Sequence, residues 1–323
     1  MRAVVCHELG PVDRLQVEEL PTPEPGPGEV RVAVRAAGAS YVDGLQAAGK
    51  YQFPQTPPYT PGGECAGVID ALGEGVEGWA VGDRVFASTG VGAMADTLIA
   101  RPQQLIALPD SIDFVIGATF LQVYGTAWFA LQHRTTVRPD EVMLVTGAGG
   151  GVGLAAIDVA RSLGARAIAV ASTEEKRQLA LDAGAFAAID PTTEDVKVRA
   201  RELTDGAGID LVYDVTGGDV SEAALRALRF DGRFLVIGFT AGIARVPLNL
   251  ALLNNRTIVG VEWGGWVMRN RDANRALIDE IVAAIAVGEL HPVRPTERPL
   301  DDAGAVLGDL LGRRAVGKIA LVP

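Results

Sequence analysis

Apolar and polar residues follow different patterns on the two sides of about residue 140. Before it, short β-branched runs such as residues 31–34 and 67–69 are separated by turn residues and show no strong helical period. Runs of this kind are typical of strands joined by turns. The first 115 residues therefore predict a β-rich domain.

From Val142 onward, short apolar strands alternate with amphipathic helices. Candidate strands begin near Val142, Ala167, Ala187, Asp210, Arg233 and Thr257. Each interval has about the length of one strand followed by one helix, which predicts a doubly wound parallel sheet. The first helix is predicted to end at Gly164 and the second at Gly184.

The last 60 residues predict a helix and a closing strand. The helix covers residues 273–287, with Ile278, Ile281, Val282 and Ile285 on one face, and the strand covers residues 318–322. We infer that an α/β domain, residues 120–264, is inserted into a β-rich domain built from residues 1–119 and 265–323.

Length and charge limit the classes of partner. A chain of 323 residues predicts about two domains. Its formal charge of −11 repels phosphate backbones and anionic membrane surfaces, so we expect neither nucleic acid nor a membrane as partner. The longest uncharged stretch, residues 142–157, is cut by glycines and is too short to span a bilayer.

Cysteine usage points to a reducing compartment. The chain has two cysteines, Cys6 and Cys65, which excludes a disulfide framework and any zinc site made of four cysteines. We therefore expect a cytoplasmic protein.

A glycine-rich turn follows the first strand of the α/β series. It contains Ala148-x-Gly150-x-x-Gly153, a variant of the dinucleotide-binding pattern with Ala in its first position. Missing side chains let the backbone approach a pyrophosphate, whose charge lies on the free amides of the helix N-terminus. Glycines also serve tight helix packing, but the strand before and the helix after favour dinucleotide binding.

The end of the second strand bears on the choice of dinucleotide. No carboxylate stands there to bind the ribose hydroxyl of NAD, whereas Ser172, Lys176 and Arg177 offer a hydroxyl and cations. These residues suit the 2′-phosphate of NADPH. Alternatively, Ser172 or Thr173 only caps the helix, or Glu174 binds a ribose because the strand ends later.

Five motifs in order make the chain resemble the zinc-free quinone oxidoreductase (zeta-crystallin-like) family of the medium-chain dehydrogenase/reductase superfamily. They are residues 58–62 with 66–68, residues 82–86, residues 125–127, the glycine-rich turn and residues 317–319. The resemblance covers essentially the whole chain. It implies a GroES-like catalytic domain, a Rossmann-type NADPH-binding domain, a cleft at their junction, and a homodimer joined through the nucleotide-binding domains.

Zinc-dependent members of the superfamily hold their metal with a Cys near position 40 and the His of a Gly-His-Glu motif. This sequence has Ser40 and Gly62-Gly63-Glu64, so no metal is expected. The three histidines, His7, His133 and His291, share no metal-ligand spacing and are expected to be surface or packing residues.

Without a Lewis acid, hydride addition to a conjugated acceptor is easier than alcohol oxidation, because the negative charge is delocalised. The resemblance therefore implies an NADPH-dependent reductase of small-molecule quinones or α,β-unsaturated carbonyl compounds. A tyrosine or water would supply the proton. Two alternatives remain open: a reductase of acrylyl- or enoyl-thioesters, and a non-catalytic NADPH-binding protein, crystallin-like or regulatory.

The resemblance also assigns site residues. Tyr51 aligns with a tyrosine that lines the substrate cleft, and Ser40 replaces an Asn beside the nicotinamide ribose while keeping a donor; Asp43 is expected to order that loop. The expected cofactor contacts are Thr126, Gly150, Gly151, Val152, Gly153, Ser172, Lys176, Thr216, Ile237, Gly238, Phe239 and Thr240. Residues 189–192 lack the family's adenine-stacking Tyr, and residues 246–263 match the edge strand and dimer contact.

Overall fold

The protein was analysed as a computed structural model that describes residues Met1–Pro323. The chain divides into two compact units. Unit 1 comprises Met1–Leu121 and Arg294–Pro323, and unit 2 comprises Gln122–Val293. The second boundary therefore lies 29 residues beyond the predicted one, at 293/294 instead of 264/265.

The strands and helices follow one another along the whole chain. The strands are β1 Arg2–Val5, β2 Gln16–Glu19, β3 Val30–Ala39, β4 Glu64–Leu72, β5 Arg84–Ser88, β6 Thr97–Ala100, β7 Leu105–Ala107, β8 Val142–Thr146, β9 Arg166–Val170, β10 Ala187–Ile189, β11 Ile209–Asp214, β12 Leu228–Val236, β13 Thr257–Gly260, β14 Thr296–Pro299 and β15 Ile319–Val322. The α-helices are α1 Tyr41–Ala47, α2 Phe114–Gly117, α3 Leu121–Trp128, α4 Gly151–Ser162, α5 Glu174–Asp182, α6 Val196–Glu202, α7 Val220–Ala227, α8 Asn249–Leu252, α9 Trp263–Arg269, α10 Arg271–Ala286 and α11 Ala303–Leu311. A π-helix, Phe129–Arg134, continues α3, and 3₁₀ turns cover Val12–Arg14, Pro102–Gln104 and Leu300–Asp302.

Unit 1 is built around a mainly antiparallel sheet with the strand order β14-β15-β3-β4-β5-β7; β6 also pairs with β3, and β1 and β2 form a separate pair. Its core contains Val32, Ile69, Leu105 and Leu307, all removed from solvent. The C-terminal strand β15 pairs antiparallel with β3. Both ends of the chain therefore contribute to this sheet.

Unit 2 contains a six-stranded sheet with the order β10-β9-β8-β11-β12-β13, in which every pairing is parallel. This is the doubly wound order, in which the order of the strands, not their direction, reverses between the first and fourth strands of the sheet. The six predicted strands are confirmed. Apolar side chains of the inner strands, among them Leu144, Ile168 and Val212, are fully buried.

The helix ends follow the predicted signals. Gly164 comes directly after the cap of α4 and has a φ of +79°, a left-handed conformation that side chains disfavour. Helix α5 ends at Asp182, two residues before Gly184. These local signals fix where each helix must stop.

Residues 265–293 belong to unit 2, contrary to the prediction from the sequence. The indole of Trp128 donates to Glu280 of α10 at 3.1 Å, and that of Trp263 donates to Asn274 at 3.1 Å. Farther along, the His291 amide donates to Asp158 of α4 at 2.6 Å. Two of these three bonds join residues more than 130 positions apart in sequence, which strand spacing alone does not reveal.

Two further features concern the whole chain. None of its helices combines the length and apolar character that a bilayer span requires. Both Cys6 and Cys65 are free thiols and buried.

Candidate cofactor and acceptor site residues

In unit 2 the candidate cofactor residues lie at the carboxyl edge of the parallel sheet. Strands β8, β11 and β12 end side by side, because Asp214 is in register with Thr146 on one side and Val236 on the other. Thr216 and residues 237–240 follow directly after these ends. Ligands of open α/β sheets bind at this edge, next to the point where strand order reverses.

A polar network that the sequence patterns do not predict lies at that edge. The buried Asp214 carboxylate accepts hydrogen bonds from Thr146 Oγ1, from Ser221 Oγ at 2.6 Å and from the Gly217 amide at 3.2 Å. Thr146 Oγ1 in turn accepts from the Thr216 amide at 3.2 Å. The network fixes the loop after β11. The sequence indicates it only by a polar residue at the end of each of two strands, Thr146 on β8 and Asp214 on β11.

The predicted residues after β11 and β12 are brought together. The Ile237 amide donates to the Asp214 carbonyl at 2.9 Å, and the Ala241 amide donates to the Thr216 carbonyl at 2.8 Å. A Cβ built at Gly147 would lie 3.1 Å from Thr216 Oγ1, so the Thr216 hydroxyl also lies against the glycine-rich turn. Phe239 is about half exposed.

The glycine-rich turn has two kinds of glycine. A Cβ at Gly153 would come within 2.6 Å of the Gly147 carbonyl oxygen, whereas one at Gly150 would meet nothing nearer than 3.6 Å. Gly153 is thus required for packing, and Gly150 leaves open space above the backbone. Gly150 is the N-cap residue of α4 and supplies no side-chain cap. The first amides of the helix, those of Gly151, Val152 and Gly153, are donors that a helix cannot satisfy within itself and that suit an anionic ligand.

Lys176 lies directly beside this turn. A Cβ built at Gly149 would come within 2.4 Å of the Lys176 Cβ, so the two residues are in close contact. Thr173 caps α5, because its Oγ1 accepts from the Lys176 amide at 3.3 Å. Ser172, exposed at the end of β9, is therefore not the cap.

Glu174 and Arg177 form an ion pair with each other. Strand β9 ends at Val170 and Glu174 is already the first residue of α5, which argues against the later strand end that a ribose-binding Glu174 needs. Arg177 donates to Glu174 Oε2 at 2.7 Å and to the Ala171 carbonyl at 3.0 Å, and pairs with Asp190 at 2.9 Å. Arg177 thus joins the ends of β9 and β10.

Asp190 lies in the loop after β10, where the sequence lacks the adenine-stacking Tyr that the resemblance leads one to expect. Its Oδ1 accepts from the amide of Thr192 at 2.9 Å and from its hydroxyl at 2.6 Å. These bonds, with the Arg177 charge, lower the pKa of Asp190. The loop after β10 is closed by hydrogen bonds.

Thr126 lies in α3, and its hydroxyl donates to the Gln122 carbonyl at 2.7 Å. That bond uses the only proton of the hydroxyl, so toward a ligand Thr126 offers an acceptor.

In unit 1, Ser40 and Asp43 form a reciprocal cap at the start of α1. Asp43 Oδ2 accepts from the Ser40 amide at 2.8 Å and from Ser40 Oγ at 2.7 Å, and the Asp43 amide donates to Ser40 Oγ at 3.2 Å. This corrects the expectation that Ser40 keeps a donor for a ligand, because its proton is committed to an ionised Asp43. The expected ordering role of Asp43 is confirmed by this geometry.

Tyr51 follows the C-terminal end of α1, whereas Ser40 caps the N-terminal end, so the two residues lie at opposite ends of this helix. The Tyr51 ring meets Phe53 edge to face, with 5.8 Å between centroids. A role for Tyr51 at the acceptor stays a prediction.

The three histidines have separate partners. His7 pairs with Glu18, the His133 ring stacks on Phe129 at 5.9 Å, and His291 Nδ1 accepts from Arg161 at 2.7 Å. These contacts agree with the surface or packing roles expected of them.

Comparison with known proteins gives the family. A model described as "Alcohol dehydrogenase GroES-like domain" matches residues 26–110, and one described as "Zinc-binding dehydrogenase" matches residues 151–283. "Quinone oxidoreductase-like protein 2" of Bos taurus is 36% identical over 323 residues, covering 99% of this chain and 92% of the relative. The chain belongs to the quinone oxidoreductase family.

Two other members of this wider group are informative. "2-Haloacrylate reductase" of a Burkholderia species is 32% identical over 334 residues, covering 99% of this chain and 98% of that protein. Escherichia coli quinone oxidoreductase, solved in complex with NADPH, has a TM-score of 0.89 and 28% identity, with both chains covered completely. The predicted fold class, a Rossmann-type sheet with a GroES-like domain, is confirmed.

The zinc named in one family-model description does not fit this chain of the quinone oxidoreductase family. Ser40 is bonded to Asp43, and Gly63, which offers no ligand atom in a side chain, lies beside the same carboxylate: a Cβ there would be 3.8 Å from Asp43 Oδ1. No group of three or more His, Cys, Asp and Glu side chains is arranged to hold a metal ion.

Proposed function

We propose that this oxidoreductase reduces quinones or α,β-unsaturated carbonyl compounds with NADPH and without zinc. The observation that supports the proposal is the close approach of the Lys176 Cβ to Gly149, in the turn before a helix N-terminus that has no side-chain cap. The NADPH-bound structure of the Escherichia coli relative supports the same cofactor.

Each part of the cofactor has candidate partners in unit 2. The amides of Gly151, Val152 and Gly153 would bind the pyrophosphate, and Gly150 would leave it room. Lys176 and Ser172 would bind the 2′-phosphate, since β9 ends without a carboxylate that would repel it. Thr216, Thr126 and the backbone of residues 237–240 would hold the nicotinamide end.

The lack of metal-ligating side chains at two positions of unit 1 bears on the class of acceptor. When bound, NADPH supplies a hydride to an electrophilic carbon of the acceptor. Neither Ser40 nor Gly63 provides a metal ligand that would stabilise an alkoxide, so the favoured acceptor spreads its negative charge over a conjugated system. The similarity to 2-haloacrylate reductase supports activated carbon–carbon double bonds among the acceptors.

The proposal is tested by measuring NADPH and NADH affinity and then single-turnover NADPH oxidation with a quinone, an enone and an acrylyl thioester. We expect preferential NADPH binding and turnover with the quinone or the enone. Turnover confined to the thioester would favour the thioester reductase, and tight binding without any turnover would favour the non-catalytic alternative. Cell fractionation tests the predicted cytoplasmic location.

We also propose that the protein is a homodimer joined through unit 2. Strand β13 lies at the edge of its sheet, and Ile258 on it is 39% exposed. The adjoining α8 region exposes Leu248, Leu252 and Leu253, each by more than two thirds of its surface. An apolar surface next to an unpaired strand favours association with an identical edge.

Sedimentation velocity tests the dimer. We expect a dimer for the wild type and a monomer for Leu253→Glu and for Ile258→Lys. Val198→Lys, on α6 and also half exposed, is the control and should remain dimeric. A monomeric wild type at micromolar concentration would refute this proposal.

A further inference from the structure

Unit 2 buries a carboxylate that joins three of its segments. Asp158 lies on α4 and is only 2% exposed. Its Oδ2 accepts from the Tyr124 hydroxyl of α3 at 2.7 Å and from the His291 amide at 2.6 Å. Its Oδ1 accepts from Arg161 of the same helix at 2.7 Å. We call these four residues the Asp158 cluster.

The bonds of the Asp158 cluster are of the stronger kind. A buried carboxylate is costly unless its charge is paired and its oxygens are bonded, and here both conditions hold. Hydrogen bonds to an ionised acceptor are shorter than neutral ones and about twice as strong. Burial and the Asp158 charge raise the pKa of Tyr124 well above its ordinary value, so the phenol keeps its proton and remains a donor.

The bond from Tyr124 sets the rotation of α3 about its own axis. Tyr124 and Thr126 are two residues apart, which in an α-helix separates their side chains by about 200° around the axis. Tyr124 is buried and bonded to α4, whereas Thr126 is partly exposed. Holding the Tyr124 side chain on one side therefore determines the direction of the Thr126 side chain on the other.

The helix at the other end of this bond begins at the glycine-rich turn. Helix α4 starts at Gly151, and Asp158 follows seven residues later, about 10 Å along the helix axis. The bond between Asp158 and Tyr124 thus joins the helix whose first amides suit a pyrophosphate to the helix that carries Thr126. A shift of α3 along or around its axis would change the position of Thr126 relative to those amides.

We propose that Asp158 is a positioning residue for hydride transfer, which through Tyr124 holds Thr126 at a fixed distance and direction from the first amides of α4. This role rests on the proposed function, which assigns the nicotinamide end of NADPH to Thr126 and its pyrophosphate to those amides. Asp158 is buried and its oxygens are bonded, so it acts only through Tyr124. Arg161 and the His291 amide keep the carboxylate itself in place.

The two halves of the cofactor should depend differently on Asp158. Reacting groups must be held in a narrow range of positions, and a displacement of about 1 Å can lower a rate by about 10²-fold. The proposed partners of the pyrophosphate and the 2′-phosphate lie on α4 and at the start of α5, and the bond to Tyr124 does not position them. Its loss should therefore affect the nicotinamide half.

Tyr124→Phe removes only the hydroxyl and leaves Asp158 bonded to Arg161 and to the His291 amide. With saturating NADPH and a quinone or an enone, we expect the single-turnover rate constant of NADPH oxidation to fall by about 10-fold in Tyr124→Phe and by about 10²-fold in Asp158→Ala. Wild-type rate constants in both variants would overturn the proposal.

A second measurement needs no acceptor. Isothermal titration compares NADPH with 2′-phospho-ADP-ribose, which lacks only the nicotinamide ring. In Tyr124→Phe the fragment should bind as it does to the wild type, whereas the ratio of NADPH affinity to fragment affinity should fall by about 3- to 10-fold, the equivalent of one hydrogen bond. An unchanged ratio would overturn the proposal, and so would an equal loss of affinity for both ligands.

Tyr213 of β11 provides the matched control. It is also fully buried, but its hydroxyl has no hydrogen-bond partner. Tyr213→Phe removes the same atom as Tyr124→Phe without breaking a bond. It should leave both the rate constant and the affinity ratio unchanged, and a loss equal to that of Tyr124→Phe would contradict the role of the bond to Asp158.

Asp158→Asn separates positioning from stability. The amide keeps an oxygen that can accept from Tyr124, but it loses the charge that pairs with Arg161. We expect Asp158→Asn to unfold at a lower denaturant concentration than the wild type and yet to recover most of the rate lost in Asp158→Ala. A variant as slow as Asp158→Ala would mean that the rate follows stability, which would overturn the proposal.

The two proposals fail in different ways. A wild type that binds NADPH and oxidises it with no acceptor refutes the proposed reductase, and the affinity ratio still tests the role of Asp158. A wild type that turns over, with Tyr124→Phe and Asp158→Ala retaining its rate constant or its affinity ratio, refutes only the positioning role.

Discussion

Gly125 has no room for a side chain because the indole of Trp263 lies across it. A Cβ built at Gly125 would come within 2.5 Å of Trp263 Cη2, and the indole is held by its bond to Asn274. Gly125 precedes the candidate site residue Thr126. The glycine of this motif is therefore explained by packing.

Gly125→Ala is expected to push Trp263 from its place and to lower the free energy of unfolding by about 1–3 kcal/mol. Denaturant unfolding and tryptophan fluorescence measure the two effects. Gly308→Ala is the matched control in helix α11, where a Cβ would meet nothing closer than 3.8 Å, and it should not destabilise. In the double variant with Trp263→Ala, the destabilisation should be smaller than the sum of the two single effects. If the two changes in the free energy of unfolding are strictly additive, the contact between the residues is contradicted.

Lys176→Ala should weaken NADPH binding by about 10- to 100-fold, the cost of one charge-assisted hydrogen bond, and barely alter NADH binding. Isothermal titration with both cofactors measures the difference. Lys197→Ala, on helix α6, is the control. Equal losses for both cofactors would mean that Lys176 does not meet the 2′-phosphate.

Two glycines of the turn should respond differently. Gly153→Ala should destabilise the fold, because its Cβ would clash with the Gly147 carbonyl. Gly150→Ala should fold normally and still weaken NADPH binding, because its Cβ would occupy only the space left for the cofactor. Thermal unfolding and cofactor titration on both variants test this, and unchanged binding by Gly150→Ala would count against the pyrophosphate site.

Thr146→Val keeps the shape of the side chain but removes one of the hydrogen bonds to the buried Asp214 and one of the two acceptors of the Thr216 amide. We expect a loss of about 1–3 kcal/mol in the free energy of unfolding, with weaker cofactor binding as the loop after β11 loosens. Denaturant unfolding measures the first effect. Ser162→Ala, on the far end of α4, is the control.

The stability should depend on the protonation of Asp43. Its pKa is raised from the ordinary 3.8 to about 6 in the folded state, so between these values the native state binds more protons than the unfolded state. Stability from this group is then full below about pH 4 and falls by roughly 3 kcal/mol as pH rises through 6. Unfolding of the wild type and Asp43→Asn between pH 4 and 8 measures the difference, which should be constant if Asp43 does not titrate.

Local patterns of the sequence were enough for much of unit 2. The six strands, the glycine-rich turn and the helix end at Gly164 depend on apolar periodicity and on backbone freedom at single glycines. Those signals act between residues a few positions apart. They are therefore visible without knowing which segments meet.

Tertiary structure decided the rest. From the sequence, Ser172 and Thr173 were equally good candidates for the N-cap of α5. Residues 265–293 were assigned to the β-rich domain instead of unit 2, and Ser40 was expected to keep a hydrogen-bond donor. Lys318 and Glu64 are 254 positions apart, and the Asn274 and Glu280 bonds to Trp263 and Trp128 assign the last long helix to unit 2. The sequence by itself determined which elements form and the type of cofactor turn they build, because these follow from short-range sterics and periodicity. Which side chains share a proton or a charge was decided only by the fold, since burial and distance arise when remote segments pack.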